Sequence, residues 1–258
     1  MEMTAHYRPA PPIHGEERVR VMILGTTGEA RRLADLLAPR DEVEVISSAG
    51  GASSTFGGTE DLMVQIAERR PAAVIDATHA YSPTISRYAR RACAAAGVPR
   101  LRFERPAWSE KPGDDWRLAD DLAGAVSTAC ALGKRVFLSA GRVPTAAVEP
   151  FPEHWFLLRR SDPATDMPGN VRTIQGKGPF TRDSELELLD GHRIAVVVAK
   201  MAGGNAAYAK IEAARQLGLP VVLLKRPEPP AGPMASTISE ALAWLEPIVE
   251  AARGDADA

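Results

Sequence analysis

An internal repeat constrains the architecture of this chain more than any other feature. The stretch from Val74 to Pro106 recurs without a gap 121 residues later, from Ala195 to Pro227. Each copy reads as an apolar strand, a polar or glycine-rich turn, a helix, a Gly-x-Pro turn, a second strand and an Arg-Pro dipeptide. Strand–helix–strand units can look alike by chance, but the agreement of turns and spacing favours two similar lobes. Identical residues occupy equivalent positions in the two copies at Ala92 and Ala213, Gly97 and Gly218, Pro99 and Pro220, Arg105 and Arg226, and Pro106 and Pro227.

Strands and helices alternate along the chain, which predicts an α/β fold with two Rossmann-like lobes, parallel sheets and a cleft between them. A length of 258 residues suits such a division. The segment Arg105–Arg117 is the expected linker, and Ser236 is the expected N-cap of the last helix. The sequence does not indicate which lobe that helix joins. We predict a disordered tail at 1–18, a cofactor-binding lobe at 19–108, a substrate and cofactor lobe at 109–232, and a C-terminal helix and tail at 233–258.

Composition and charge argue against several kinds of partner. The formal net charge is −2, so neither nucleic acid nor an anionic membrane is an expected partner. The longest apolar run, Ile194–Ala199, is too short to span a bilayer. The polar, proline-rich start lacks the apolar core of a signal peptide. Cys93 and Cys130 have no metal-ligand spacing and read as thiols of a reducing compartment, so we expect a cytoplasmic protein without a metal. The oligomeric state is left open.

A turn after the first strand is a candidate phosphate site. Gly25, Thr26, Thr27 and Gly28 join the apolar strand Val19–Leu24 to a helix. Backbone N–H groups and the positive end of a helix suit a phosphate there, and two hydroxyl groups add donors. The spacing differs from the three-glycine dinucleotide fingerprint. A plain strand–helix connection is about as compatible with the sequence of this turn alone.

The end of the second strand bears on the choice of cofactor. An enzyme for the non-phosphorylated dinucleotide commonly has an Asp or Glu at this place, which binds the ribose hydroxyls. Here the strand ends at Ser47 and Ser48, and Ser53, Ser54 and Thr55 follow. These small side chains leave room for a 2′-phosphate and favour NADPH over NADH. A solvated polar loop is the alternative interpretation.

Candidate catalytic or cofactor-binding side chains follow two buried strands at their carboxyl ends. Thr78 and His79 end one strand and Lys200 ends another, and the 121-residue offset pairs His79 with Lys200. Sites of α/β proteins are built at such ends. Gly203 and Gly204 would allow a ligand to approach the backbone closely. A histidine that only caps the next turn is a nearly equal alternative.

The second lobe has candidate substrate-binding residues. Arg159, Lys177 and Arg182 would make its site basic, and Phe180, after a Gly-Pro turn, would line a wall. Such charges are more often a solvated face, unless the substrate carries several negative groups. Hydrolase and kinase signatures are absent from the sequence.

The order of these motifs resembles the precorrin-6A reductase family of cobalamin biosynthesis. The resemblance covers roughly Val19 to Pro227 and includes the run from Gly25 to Glu29. It implies a two-lobed reductase that transfers a hydride from NADPH to one double bond of precorrin-6A, giving precorrin-6B. It also implies a tetrapyrrole substrate with many carboxylates, and places Glu29 among the cofactor-binding residues. The remaining matching segments are Asp76 to His79, Glu104 to Trp108, Gly178 to Phe180, Lys200 to Gly204 and Lys210 to Val222.

Two other functions are compatible with facing Rossmann-like lobes. One is a nucleotide-sugar transferase or epimerase, and the other is a non-catalytic, nucleotide-sensing module. The lack of sugar-site acids and of a second phosphate clamp weakens the transferase hypothesis. Only a reductase would oxidise the nicotinamide when its substrate is supplied.

Overall fold

The computed structural model describes residues 18–47, 57–161, 167–176 and 178–254. It divides into two units: residues up to Arg105 together with those from Pro227 form the first, and Pro106–Arg226 form the second. The boundaries expected at residues 108 and 232 lie three and six residues beyond these. Most of the expected N-terminal tail, residues 1–17, is outside the described residues.

The first unit has one parallel sheet in the order β11-β4-β3-β1-β2. Its first and third strands in chain order are mostly apolar and almost wholly buried, as expected for a sheet covered on both faces. Its elements are β1 Val19–Leu24, α1 Gly28–Leu37, β2 Val43–Ser47, α2 Thr59–Arg69, β3 Ala73–Asp76, α3 Pro83–Ala96, β4 Arg100–Phe103, β11 Met234–Ala235 and α7 Ile238–Gly254.

The second unit has a parallel sheet in the order β5-β10-β9-β6-β7-β8. A single turn of 3-10 helix, Thr145–Ala147, stands between its second and third strands where the first unit has α1. Its other elements are β5 Trp116–Ala119, α4 Leu122–Leu132, β6 Arg135–Ser139, β7 Trp155–Arg160, β8 Val171–Gln175, α5 Arg182–Gly191, β9 Val196–Lys200, α6 Ala209–Gln216 and β10 Val221–Leu224. The predicted fold class, α/β with two parallel sheets, is confirmed.

The two sheets share a topology, and the chain crosses between them twice. Read from one edge, β2-β1-β3-β4-β11 corresponds to β7-β6-β9-β10-β5. The chain leaves the first unit after β4 and forms the edge strand β5, and it leaves the second after β10 and forms the edge strand β11. The Arg-Pro dipeptides of the repeat, at residues 105–106 and 226–227, mark both crossings.

Strand register shows that the repeat is not gapless. Leu101 pairs with Ile75 in the first sheet, and Val222 pairs with Val198 in the second. Leu101 and Val222 are 121 positions apart in the chain, whereas their partners Ile75 and Val198 are 123 positions apart. The second unit therefore has two residues fewer between its two paired strands, and Lys200 corresponds to Ala77. The predicted equivalence of His79 with Lys200 is wrong by two residues.

The last helix belongs to the first unit. Ala241, Leu245 and Val249 of α7 are buried in the same core cluster as β1 and β3. Its N-cap is Thr237, whose hydroxyl accepts from the N–H of Glu240 at 3.2 Å. The expected cap Ser236 instead donates its N–H to the Glu240 carboxylate at 2.7 Å. The Glu240 carboxylate also accepts from the Thr237 N–H at 3.3 Å, which completes a capping box displaced by one residue from the prediction.

Candidate active site

The first unit has its topological switch point between β1 and β3. Gly25 follows β1 with φ +116°, and a Cβ added to it would lie 2.5 Å from the carbonyl oxygen of Ala77. Only glycine allows the two strand ends to approach this closely. In open parallel sheets, ligands bind outside the carboxyl ends of the strands at such a point.

Helix α1 begins beside this switch point. Thr27 is its N-cap: the hydroxyl accepts from the N–H of Ala30 at 3.1 Å and donates its single proton to the Ala77 carbonyl at 2.9 Å. The expected donation of this hydroxyl to a phosphate is therefore not available. The Thr26 side chain and Gly28 are exposed, and a Cβ on Gly28 would meet nothing within 4 Å. Backbone N–H groups of the first turn, which a helix cannot satisfy internally, remain as donors.

Glu29 in the first turn of α1 forms an ion pair. Its carboxylate lies 3.1 Å from the guanidinium of Arg105, and the two side chains are 23% and 22% exposed. An acidic residue stabilises a helix N-terminus. The predicted cofactor residue thus has a basic partner that the sequence did not assign to it.

Ser47 ends β2 and pairs with Ile23 of β1, so it lies at the same edge of the sheet as the phosphate candidate. Its side chain is partly buried. Ser48 and the hydroxyl cluster at residues 53–55 lie outside the described residues. The preference for a 2′-phosphate stays a prediction.

A buried ionic network closes the carboxyl ends of β3 and β4, and the sequence analysis missed it. Asp76, with no exposed surface, lies 3.2 Å from Arg100 and 3.0 Å from Arg102. Thr78 donates its hydroxyl to Asp76 at 2.7 Å and is itself buried. This predicted cofactor residue is therefore part of the network, and its hydroxyl is committed to the protein. Burial lowers the pKa of Arg100.

His79 emerges from this network with a partly buried ring. Its Nδ1 accepts from the N–H of Tyr81 at 3.2 Å, and the two rings lie 5.8 Å apart. A neutral imidazole that accepts at Nδ1 carries its proton on Nε2. The backbone bond fits the turn-capping alternative, while Nε2 keeps the chemistry of a proton donor.

The second unit has its switch point between β6 and β9. Gly141 follows β6 with φ +83°, and a Cβ on it would lie 3.3 Å from Nζ of Lys200. Lys200 is the last residue of β9 and is half-buried. Burial lowers the pKa of its ammonium group. The candidate lysine is thus placed at the second switch point, where the first unit has Ala77.

The glycines after Lys200 are required by the protein itself. Gly203 and Gly204 have φ of +69° and +65°, and a Cβ on Gly203 would overlap Arg226 and the Pro106 carbonyl. The indole of Trp108 donates to the Gly204 carbonyl at 2.7 Å. Close packing against the crossing segment accounts for Gly203, where the sequence predicts close approach by a ligand.

The guanidinium of Arg159 is held by an ion pair within a buried cluster. It donates to both carboxylate oxygens of Glu185, at 3.1 and 2.8 Å, and lies 3.9 Å below the ring of Phe180. Buried Lys210 donates to the Ala207 carbonyl at 2.7 Å, and burial, with Arg159 nearby, lowers its pKa to about 8. The predicted binding of a substrate carboxylate by Arg159 would require it to leave Glu185. Its observed role is to support Phe180, which is partly exposed.

The other predicted substrate residues are placed differently. Arg182 begins α5, pairs with Asp183 at 3.0 Å and is more than half exposed. It lines a surface cleft of about 420 Å³ together with Glu212 and Arg215. The cleft is of mixed charge and therefore gives no preference for an anion. Lys177 lies outside the described residues.

Two further findings limit the chemistry of the described residues. In these parts of the chain, no three His, Cys, Asp or Glu side chains are grouped so that they could hold a metal ion. No helix among them is long and apolar enough to cross a membrane.

Two doubly wound sheets, each with a left-handed glycine at its switch point, define a two-lobed α/β protein of the ligand-binding type. The family model described as Precorrin-6x reductase CbiJ/CobK matches residues 20–246. The chain belongs to this family of oxidoreductases. The family membership favours a reductase over the transferase, epimerase and sensing alternatives.

Individual relatives agree with this assignment. The precorrin-6A reductase of Rhodococcus erythropolis is 38% identical over 240 residues, which cover 88% of this chain and 97% of the relative. That of Rhodobacter capsulatus is also 38% identical, with 88% and 95% covered. A solved structure, CobK precorrin-6A reductase, has a TM-score of 0.77 at 35% identity and covers 89% of this chain and 97% of that one.

Proposed function

We propose that this protein reduces precorrin-6A to precorrin-6B in cobalamin biosynthesis, with NADPH as the reductant. The observation that carries the proposal is membership of the precorrin-6x reductase family over residues 20–246, joined to a helix N-terminus at the first switch point. NADPH, when bound, supplies a hydride to one double bond of the macrocycle, and a proton is added alongside. The free thiols Cys93 and Cys130 suit the reducing cytoplasm, where we propose that the enzyme works.

The residues around α1 fit the phosphates of a dinucleotide. The exposed glycine Gly28 leaves open space beside the first turn, and the N–H groups of Gly28 and Glu29 have no acceptor within the helix. In this proposal these groups and the N–H of Thr26 hold the pyrophosphate, while the Thr27 hydroxyl holds the turn in shape. Ser47, at the end of β2, faces the adenosine ribose.

Lys200 binds a carboxylate of the tetrapyrrole in this proposal. Its ammonium group lies at the second switch point beside Gly141, which has no side chain to cover it. Half-burial lowers its pKa, and a bound carboxylate would raise the pKa again by favouring the charged form. Phe180, stacked on Arg159, offers a flat apolar face to the macrocycle.

His79 is the candidate proton donor among the described residues. Because Nδ1 accepts from the Tyr81 N–H, the neutral ring has its N–H at Nε2. The ring becomes a proton donor when a second proton binds at Nδ1 in place of that hydrogen bond. Replacement by Gln keeps a hydrogen-bonding side chain but cannot donate a proton in acid–base catalysis. If His79 donates the proton, His79→Gln should lower kcat by about 100-fold or more without changing the Kd of NADPH.

The first test is oxidation of NADPH by the purified protein with precorrin-6A. Loss of the nicotinamide absorbance only in the presence of substrate, and tighter binding of NADPH than of NADH, is the expected result. Unchanged absorbance would overturn the reductase function. Equal affinity for both dinucleotides would overturn the assignment of NADPH.

Lys200→Ala tests the substrate site, with Lys225→Ala as its matched control. Lys225 is an exposed lysine that follows β10 and pairs with Asp120 at 2.7 Å. We expect Lys200→Ala to raise the KM for precorrin-6A by about tenfold or more, since it removes a charge-assisted contact, and to leave the Kd of NADPH unchanged. Wild-type KM in Lys200→Ala would remove this residue from the substrate site.

A further inference from the structure

The ion pair between Glu29 and Arg105 has a consequence for cofactor binding that goes beyond the proposed function. Glu29 lies in the first turn of α1, at the helix end proposed to hold the pyrophosphate. A carboxylate and a phosphate would both be attracted to the positive end of the helix but would repel each other. Without compensation, Glu29 would weaken the site in which it lies.

Arg105 supplies the compensation. Its guanidinium is 3.1 Å from the Glu29 carboxylate, and both side chains are mostly buried, so solvent screens the pair only in part. Arg105 follows β4 directly before the chain crosses to the second unit. Parallel strands bring their carboxyl ends to one edge of the sheet, which explains how residues 76 positions apart in the chain meet here.

The counterpart of Arg105 in the repeat has a different partner. Arg226 donates to two backbone carbonyls, Met201 at 2.6 Å and Pro106 at 3.2 Å. These bonds hold the loop after Lys200 and the crossing segment.

We propose that Arg105 is a positioning residue for the cofactor, which acts through Glu29. It neutralises and orients the Glu29 carboxylate, so that the N-terminus of α1 keeps its attraction for the phosphates. The inference rests on the proposed binding of NADPH at α1. It also explains how an acidic residue in the first turn is compatible with a dianionic ligand group next to it.

The test is a cycle of Arg105→Met, Glu29→Gln and the double variant, measured by titration of NADPH binding in the absence of substrate. Arg105→Met should weaken NADPH binding about tenfold, because it leaves Glu29 without its partner close to the phosphates. Glu29→Gln should bind at least as tightly as wild type. The double variant should return to within about threefold of wild type. The loss in Arg105→Met should shrink as salt is raised.

Arg20→Met is the matched control. Arg20 pairs with Glu44 at 2.9 Å in a more exposed ion pair, and it lies near the start of β1, at the opposite end of the sheet. The affinity of the Arg20→Met variant for NADPH should equal that of the wild-type protein. Melting temperatures of all variants show whether each is folded.

The outcomes separate this inference from the proposed function. If Glu29→Gln and the double variant lose as much affinity as Arg105→Met, the pair is a structural brace and the inference is overturned. Equal affinity of Arg105→Met and wild type overturns it too. If wild-type protein does not bind NADPH at all, the proposed function fails first.

Discussion

The two switch points share a backbone plan and differ in the positive group that each presents. Both have a left-handed glycine after the first strand of the pair, Gly25 or Gly141. In the first unit the chain enters α1 directly, whereas in the second it enters a single 3-10 turn at Thr145–Ala147. The second unit has Lys200 where the first has Ala77. One topology thus offers backbone donors at one site and an ammonium group at the other.

This difference shows how two copies of one fold can each suit a different ligand group. Backbone N–H groups and a helix dipole suit the pyrophosphate, which several donors can surround. A lysine is a compact point charge that suits a single carboxylate. The proposed assignment of cofactor to the first unit and substrate to the second follows from these groups.

The two units also differ in the buried ionic cluster that each contains. Asp76 is shared by two arginines, which keep their charge when buried. Glu185 faces one arginine and lies near Lys210, whose pKa burial lowers to about 8. The second cluster can lose a positive charge near neutral pH, and the first cannot.

The largest expected effect on the free energy of unfolding comes from replacing the acidic residue of each cluster. Asp76→Asn leaves Arg100 and Arg102 buried without their carboxylate and should lower the free energy of unfolding by about 3–5 kcal/mol. Glu185→Gln should cost about 1 kcal/mol less, because Lys210 can release its proton. Urea denaturation at pH 8 measures both. An equal or larger loss in Glu185→Gln would contradict the comparison.

Replacement of the two switch-point glycines should come next. Gly25→Ala combines a positive φ with overlap on the Ala77 carbonyl and should destabilise the protein by about 2–4 kcal/mol. Gly141→Ala meets only the flexible end of Lys200, at 3.3 Å, and should cost about 1–2 kcal/mol. The same urea experiment compares them. Similar losses would show that the second switch point is as tightly closed as the first.

The pH dependence of the free energy of unfolding should reveal the lowered pKa of Lys210. Its pKa is about 8 when folded and 10.5 when unfolded, so the unfolded state binds more protons in this range and stability rises with pH. Between pH 8 and 9 wild type should gain about 1 kcal/mol relative to Lys210→Met. Lys225→Met, at an exposed lysine, should keep the wild-type slope. Parallel pH profiles of wild type and Lys210→Met would disprove the prediction.

The smallest effect is expected from the helix caps. Thr27→Val removes the cap of α1 and the bond to Ala77, and should cost about 1 kcal/mol of stability, with Thr27→Ser close to wild type. Thr181→Val, at the exposed cap of α5, should cost less because its hydroxyl accepts from the Ser184 N–H of its own helix turn and is exposed. A loss of NADPH affinity in Thr27→Val without a loss of stability would instead place the hydroxyl on the phosphate.

Local pattern predicted most of the fold. The strand Val19–Leu24 has the bounds expected from the sequence, and the apolar run Ile194–Ala199 contains most of β9. Strands β5, β8 and β11 are not indicated by the sequence pattern, because they are edge strands with exposed side chains and no continuous apolar run. Gly25, Lys200 and the turn at α1 were found because each directly follows a buried strand.

By itself, the sequence determined the α/β class, the repeat and the family, since these depend on local periodicity and on motifs along the chain. Tertiary structure alone decided the two-residue shift of Lys200, the exchange of edge strands and the partners of Glu29, Asp76 and Arg159. The physical reason is the range of the interactions. Strand register and buried ion pairs join residues that are far apart in the chain, and the spacing of residues along it does not specify which of them will meet.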